Sequence, residues 1–225
     1  MTVLSKRLSL IAELVDAGSS VCDVGTDHGY LPAFLYLCGK CKSVIATDIN
    51  EKPLRCAQKN LARLGADGVR LVLCDGLDGL GPKDADTVII AGMGGEVISG
   101  IIERAPFLRD EAVKLILQPT TSAKDLRLYL SANGFCVRRE QAVCENGKIY
   151  SVMSVGFCGV PYTLSETEQL IGALVPDSTD AREYINKQYR IISKRAADLA
   201  SVSHKKEEYE ALLQTAERLK EILEG

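Results

Sequence analysis

Ten consecutive residues carry the densest chemistry in the chain: Asp23-Val24-Gly25-Thr26-Asp27-His28-Gly29-Tyr30-Leu31-Pro32. A short apolar run at 20–22 precedes them, and a helix-forming run at 31–37 follows. A strand, a glycine turn and a helix start in that order leave N–H groups unpaired and let a ligand approach the main chain. Glycine suits such a turn because it accepts positive φ and has no Cβ. The dinucleotide fingerprint is Gly-x-Gly-x-x-Gly. Here the spacing is Asp23-x-Gly25-x-Asp27-x-Gly29, with a carboxylate in place of the middle glycine. A carboxylate repels a pyrophosphate and attracts a sulfonium or an ammonium. The turn therefore favours S-adenosylmethionine over NAD.

Further polar or glycine-rich stretches end apolar runs of strand type. Asp48-Ile49-Asn50 lies where an acidic residue would hold ribose hydroxyls, 25 residues after Asp23. Asp48 also suits the cap of the helix that starts at Glu51. Asp75-Gly76-Leu77 could meet an adenine amino group or simply make a turn. Ala91-Gly92-Met93-Gly94-Gly95 allows a planar group against the backbone, or tight helix–sheet packing. Gln118-Pro119-Thr120 offers an amide and a hydroxyl to a base edge, or an ordinary turn. Taken alone, His28 reads as a capping or core histidine, and Tyr30 reads equally as a stacking ring or a core ring.

The elements that position these residues follow from periodicity. Strands are predicted at 20–24, 43–47, 69–74, 86–91, 113–118, 135–141 and 148–155. Helices are predicted at 4–15, from the glycine turn to 38, at 51–64 with Gly65 as its stop, from the second glycine cluster to 104, and at 122–132. Strands alternating with helices and apolar on both faces make a mostly parallel sheet. The last two strands, joined around Glu145-Asn146-Gly147, add an antiparallel edge. Five βα units and a closing hairpin match the α/β class I methyltransferase version of the Rossmann sheet, strand order 3-2-1-4-5-7-6. Ligands in such sheets sit at the carboxyl ends of the strands, where every stretch named above falls.

After Gly156 the composition changes. Ser165-x-x-Glu168 is a capping box. From Ala181 two helical segments carry seven-residue spacings, Ile185, Ile192, Leu199 and then Tyr209, Ala216, Leu223, interrupted at 201–206. They read as an antiparallel, coiled-coil-like hairpin. The chain thus divides into a Rossmann-like domain at 1–156 and a helical hairpin domain at 157–225. The heptads are too short to pair independently, so they pack within the chain and a monomer is expected.

Composition sets limits. The chain has 225 residues and a net charge of −3, so no global basic field points to nucleic acid. Residues 1–155 carry 18 basic and 18 acidic groups, and 156–225 carry 9 and 12. Basic residues are nevertheless clustered: Lys187, Arg190 and Lys194 share one face, and His204-Lys205-Lys206 sit at the hairpin tip. Alone, such a stripe reads as a solvated face. No apolar run is long enough for a membrane span, and the N-terminus lacks signal-peptide character. Of the eight cysteines only Cys38 and Cys41 form a close pair, and there are two histidines. No metal site is expected, and the cysteines read as reduced thiols of a cytoplasmic protein.

Three motifs together are narrower than a generic Rossmann signature: the 23–32 stretch, Ala91-Gly92-Met93-Gly94-Gly95 and Leu117-Gln118-Pro119. With Leu4-Ser5-x-Arg7-Leu8 and Glu145-x-Gly147-Lys148-x-Tyr150, the chain resembles the bacterial tRNA (adenine-N1)-methyltransferase family that acts at position 22. The resemblance covers nearly the whole chain. It implies S-adenosylmethionine bound by Asp23, Gly25, Thr26, Asp27, His28, Tyr30, Leu31, Asp48, Ile49, Asn50, Asp75, Gly76, Leu77, Ala91, Gly92 and Met93. It implies an acceptor side at Gly94, Gly95, Gln118, Pro119 and Thr120, and a C-terminal coiled-coil domain that binds the tRNA D-arm through Lys187, Arg190 and Lys194. A methylated adenine is cationic, so Asp27 is the candidate carboxylate beside the reacting base, with contact to the methionyl ammonium as its rival role. Thr120 departs from the family's usual asparagine; Thr26 and Gly29 stand where serine and alanine are usual. The other readings are a methyltransferase with a different acceptor, a nicotinamide oxidoreductase that Asp27 argues against, and a non-catalytic adaptor that dimerises through the hairpin.

Overall fold

The computed structural model describes residues 3–225; residues 1 and 2 of the expected first domain lie outside it. Seven strands form one sheet: β1 (Ser20–Val24), β2 (Ser43–Asp48), β3 (Arg70–Leu73), β4 (Thr87–Gly94), β5 (Lys114–Thr121), β6 (Phe135–Glu145) and β7 (Lys148–Phe157). The order is β3-β2-β1-β4-β5-β7-β6, as expected. Strands β1 to β5 run parallel, and β7 is antiparallel to both β5 and β6.

The apolar runs of the central strands feed two cores. Cys22, Ile90 and Leu117 face one side, where they meet Ile98, Ile102 and Leu126 of α4 (Gly95–Arg104) and α5 (Ala123–Ala132). Their neighbours Val21, Ile89 and Ile116 face the other, against α1 (Lys6–Leu14), α2 (Tyr30–Leu37) and α3 (Glu51–Leu64). Fully burying each such side chain is worth about 1.5–3 kcal/mol, so a strand apolar on both faces belongs at the centre of the sheet. Helix α3 ends at Gly65 in the left-handed region, as expected.

Strands β4 and β5 run further than periodicity predicts. Pairing continues through an irregular register, Met93 opposite Pro119 and Gly94 opposite Thr121. The glycine cluster therefore ends a strand instead of forming an open turn. Cys136 and Cys158 are joined as a disulfide, with their Cα atoms 6.1 Å apart, against the expectation of reduced thiols. The β6–β7 hairpin brings them together by pairing Cys136 with Gly156.

Beyond β7 the chain forms α6 (Glu166–Ile171), α7 (Thr179–Leu199) and α8 (Lys206–Glu224). The capping box at Ser165 and Glu168 is formed. Ile185, Ile192 and Ala216 of the seven-residue pattern bury together with Leu170, Ile171 and Leu219. A buried polar hub fixes these helices to the sheet. Arg127 of α5 pairs with Glu140 of β6, and both are almost wholly buried. The guanidinium also donates to the carbonyls of Gln169 and Leu170 at 3.0 Å and to Tyr184 Oη at 3.2 Å. Glu140 Oε2 accepts from the Ala173 amide at 3.1 Å. Burial alone would lower the Arg127 pKa; the Glu140 carboxylate and Tyr184 outweigh it and raise the value above the ordinary one.

Candidate active site

The loop after β1 is pinned to β2. The amides of Gly25 and Thr26 both donate to the Thr47 carbonyl, at 2.8 and 2.9 Å. Asp27 and Gly29 take left-handed conformations, with φ of 51° and 70°. Asp tolerates that region because its short side chain bonds locally. At Gly25, φ is +71° and a Cβ would collide with Met93 Cε. The two glycine motifs thus interlock, with Met93 lying over Gly25. Gly95 is needed for close packing, since a Cβ there would meet the Ser122 carbonyl.

These loops enclose a cleft of about 300 Å³, lined by Asp23, Gly25, Thr26, Asp27, His28, Tyr30, Leu31, Ala91 and Gly92. Nine of the expected cofactor residues therefore converge. Arg7 and Leu8 of α1 complete the lining. Neither has a site role legible in the sequence beyond their place in Leu4-Ser5-x-Arg7-Leu8. Arg7 is braced twice: its amide donates to Glu145 Oε1 at 3.0 Å and its Nη1 to Gln118 Oε1 at 2.6 Å. Burial works against the charge on Glu145, but the Arg7 amide and guanidinium hold its carboxyl below the ordinary value.

Asp23 is the electrostatic centre of the cleft. Its side chain is buried and makes no ion pair among the described residues. Burial pushes its carboxyl up to about 7. The Thr26 hydroxyl offsets part of this, yet its Oγ1 is itself buried with no partner at hydrogen-bonding geometry. A buried carboxylate without a cation is costly, and a cationic ligand in the cleft removes that cost. Asp27 differs: its side chain is 67% exposed at the mouth, with Oδ2 3.3 Å from His28 Nε2. His28 Nδ1 lies 3.2 Å from Cys56 Sγ.

Other expected residues are not in the lining of this cleft. Asp48, at the end of β2, accepts the Asn50 amide at 2.8 Å, and Asn50 is the cap residue of α3. Asp48 is therefore not the helix cap. Ile49 beside it is exposed. Asp75 pairs with Arg104 at 2.9 Å instead of presenting a free carboxylate. Leu77 belongs to the core, and the Gly76 carbonyl accepts from Thr47 Oγ1. Gly94 lies in the sheet opposite Thr121.

Gln118 departs furthest from expectation. It is fully buried, and its amide serves the fold. Oε1 accepts from Arg7 and from the Gly92 amide at 3.1 Å, and Nε2 donates to the Pro119 carbonyl. It braces the cofactor loop instead of reading a base edge. Pro119, Thr120 and Lys187 line a second cleft, while Arg190 and Lys194 are exposed further along α7. At the hairpin tip Lys205 and Lys206 pair with Glu208 and Glu210 of α8, so that basic cluster is largely neutralised. A larger cavity of about 530 Å³ lies between α6 and α8. It shares no lining residue with the glycine-loop cleft, and its lining includes Glu166, Glu217 and Glu221.

A seven-stranded sheet of this order, with a carboxylate-bearing glycine loop at its switch point, defines a Rossmann-like methyltransferase fold. The chain belongs to the methyltransferase domain family, which it matches over residues 4–153. Among its relatives is the tRNA (adenine(22)-N(1))-methyltransferase of Bacillus subtilis (strain 168), 34% identical over 151 residues. That alignment covers 67% of this chain and 63% of the relative, just under two thirds of its length. Among solved structures, Streptococcus pneumoniae Sp1610, a candidate tRNA (m1A22) methyltransferase in complex with S-adenosyl-L-methionine, superposes with a TM-score of 0.78. It is 32% identical, with 98% of this chain and 100% of that one covered. The B. subtilis m1A22 tRNA methyltransferase TrmK gives a TM-score of 0.79 at 25% identity, covering 99% and 100%.

Proposed function

We propose that the protein transfers a methyl group from S-adenosylmethionine to N1 of the adenine at position 22 of tRNA. The observation that carries the cofactor assignment is the buried Asp23 carboxylate in the glycine-loop cleft, which forms no ion pair among the described residues. The cleft fits the cofactor on this chain's own residues. Asp23 suits the methionyl ammonium. The orphaned Thr26 hydroxyl offers a further polar contact. Arg7, at the cleft wall, suits the methionyl carboxylate. Asp48, with one oxygen bonded to the Asn50 amide, keeps the other for ribose hydroxyls. Ile49 and Met93 provide apolar surface beside the sugar and base. The tRNA acceptor rests on the relatives' activity.

When bound, the cofactor supplies an electrophilic methyl group on a sulfonium centre. Adenine N1 already holds a lone pair, so the chain needs no general base. Its task is alignment at contact distance. As N1 is methylated the base becomes cationic, and a carboxylate at the cleft mouth stabilises that charge. Asp27 is the exposed carboxylate there, whereas Asp23 lies deep enough to serve the ammonium. Position 22 lies in the folded D-arm, so the base must leave its stack before it can be methylated.

Residues 1–156 form the cofactor half and 157–225 the RNA-binding half. Lys187, Arg190 and Lys194 contact phosphates, and the protein acts as a monomer, without metal, in the cytoplasm where tRNA is found. No helix among the described residues is long and apolar enough to cross a membrane. The deciding experiment is methyl incorporation into unmodified tRNA followed by mapping of the modified base. Label at N1 of adenine 22 is expected; label at another base, or none in tRNA while S-adenosylmethionine binds, assigns a different acceptor. Calorimetry with S-adenosylmethionine and NAD separates both outcomes from an oxidoreductase.

A further inference from the structure

We propose that the second cleft, beyond the end of β5, is an RNA-backbone subsite that takes a phosphate flanking the target base. The inference rests on the tRNA-methyltransferase reading and adds to it a defined anchor. The cleft has a volume of about 270 Å³ and lies between the end of β5, the start of β7 and α7. That is room for part of one nucleotide and too little for a stem.

Its charge is one-sided. Among the described residues no aspartate or glutamate lines it, in a chain with 30 acidic and 27 basic residues. Of the three cations in the lining, two are already engaged: Arg127 with buried Glu140, and Lys124 with Glu166 at 3.4 Å. Lys187 is exposed and makes no ion pair among the described residues. Exposed Thr120 and Thr121 and half-buried Tyr150 add hydroxyls around it. A free ammonium and hydroxyl donors, with the neighbouring Glu140 and Glu166 carboxylates already paired to Arg127 and Lys124, make a phosphodiester site.

Its place in the fold matches. Gln118 braces Gly92 in the cofactor cleft, and the next two residues, Pro119 and Thr120, line the second cleft. A single strand end therefore separates the two. In the other direction Lys187 begins the stripe that continues to Arg190 and Lys194. At a rise of about 1.5 Å per residue that stripe extends the positive track by about 10 Å. The cleft is the inner end of the track, next to where the base is methylated.

The test exploits exposed Thr120, where substitution spares the core. Thr120→Glu places a carboxylate in the cleft, and Thr120→Gln has nearly the same shape without charge. Thr120→Glu is expected to weaken tRNA binding about tenfold or more relative to Thr120→Gln, with the ratio shrinking between about 50 and 200 mM salt. Both variants should bind S-adenosylmethionine like the parent. A tRNA carrying a neutral methylphosphonate at the docked linkage should abolish the difference, and scanning the D-arm linkages identifies it. Equal tRNA affinity of the Glu and Gln variants, or a difference untouched by any methylphosphonate, overturns the subsite. If the parent protein puts no methyl group into tRNA, the functional reading itself falls; a methylating parent with equal variants sinks the subsite alone.

Discussion

Asp23 gives the clearest residue-scale test. Burial raises its carboxyl from 3.8 to about 7, so the folded chain keeps a proton that the unfolded chain has released across that window. Ligand-free stability from this group is therefore highest at acid pH and is lost as pH rises towards about 7. The loss is at most about 4 kcal/mol. Asp23→Asn should remove that slope and raise the ligand-free melting temperature at about pH 8, while weakening S-adenosylmethionine binding about tenfold or more. In the parent, affinity for the cationic cofactor should climb between about pH 5.5 and pH 7.5, with proton release seen by calorimetry in two buffers; the variant should be flat. A gain in stability with unchanged cofactor affinity would remove Asp23 from the site. Asp27→Asn keeps the left-handed tolerance of residue 27 and deletes only charge. It should lower kcat about tenfold or more with cofactor Kd within about threefold. A changed Kd with normal kcat would reassign Asp27 to the cofactor. The Asp–glycine pattern was legible because its meaning is local. The role of Gln118 was not, because its partners Arg7 and Gly92 are 111 and 26 residues away.

At the scale of elements, the hub around Arg127 decides how the C-terminal helices sit on the sheet. Arg127→Met alone strands the Glu140 carboxylate in the interior, and should cost about 3–5 kcal/mol in urea denaturation. The double variant Arg127→Met/Glu140→Leu should recover most of that loss, since an apolar pair leaves no orphaned charge. Equal losses in the single and double variants would mean the pair is not the source of the cost. Nothing in the sequence marked this hub: an arginine and a glutamate 13 apart look like surface residues until α6 and α7 cover them. By contrast, the Ser165–Glu168 box and the Gly65 stop were readable, because each acts within a single turn. The extension of β4 and β5 was hidden for the same reason as the hub. A glycine cluster stays in a strand only when a neighbour pairs with it, here Pro119 and Thr121.

At the scale of the whole molecule, the proposed tRNA substrate requires a chain of net charge −3 to bind a polyanion through local arrangement. Replacing Lys187, Arg190 and Lys194 together with alanine should reduce the slope of log affinity for tRNA against log salt by about 2–3, and weaken binding at low salt. An unchanged slope would confine RNA contact to the sheet side. The tip lysines should contribute less, because Glu208 and Glu210 already neutralise them.

By itself the sequence determined the order of strands, the glycine loop, and the sign of charge that loop favours. These depend on side-chain periodicity and on backbone conformations available to a few residues in a row. Only the tertiary structure decided which polar groups are consumed by the fold and which stay free for a ligand. Gln118, Asp75 and Arg127 are engaged, whereas Asp23 and Lys187 have no charged partner among the described residues. Whether a polar group is satisfied depends on partners brought from far along the chain, and no local pattern records them.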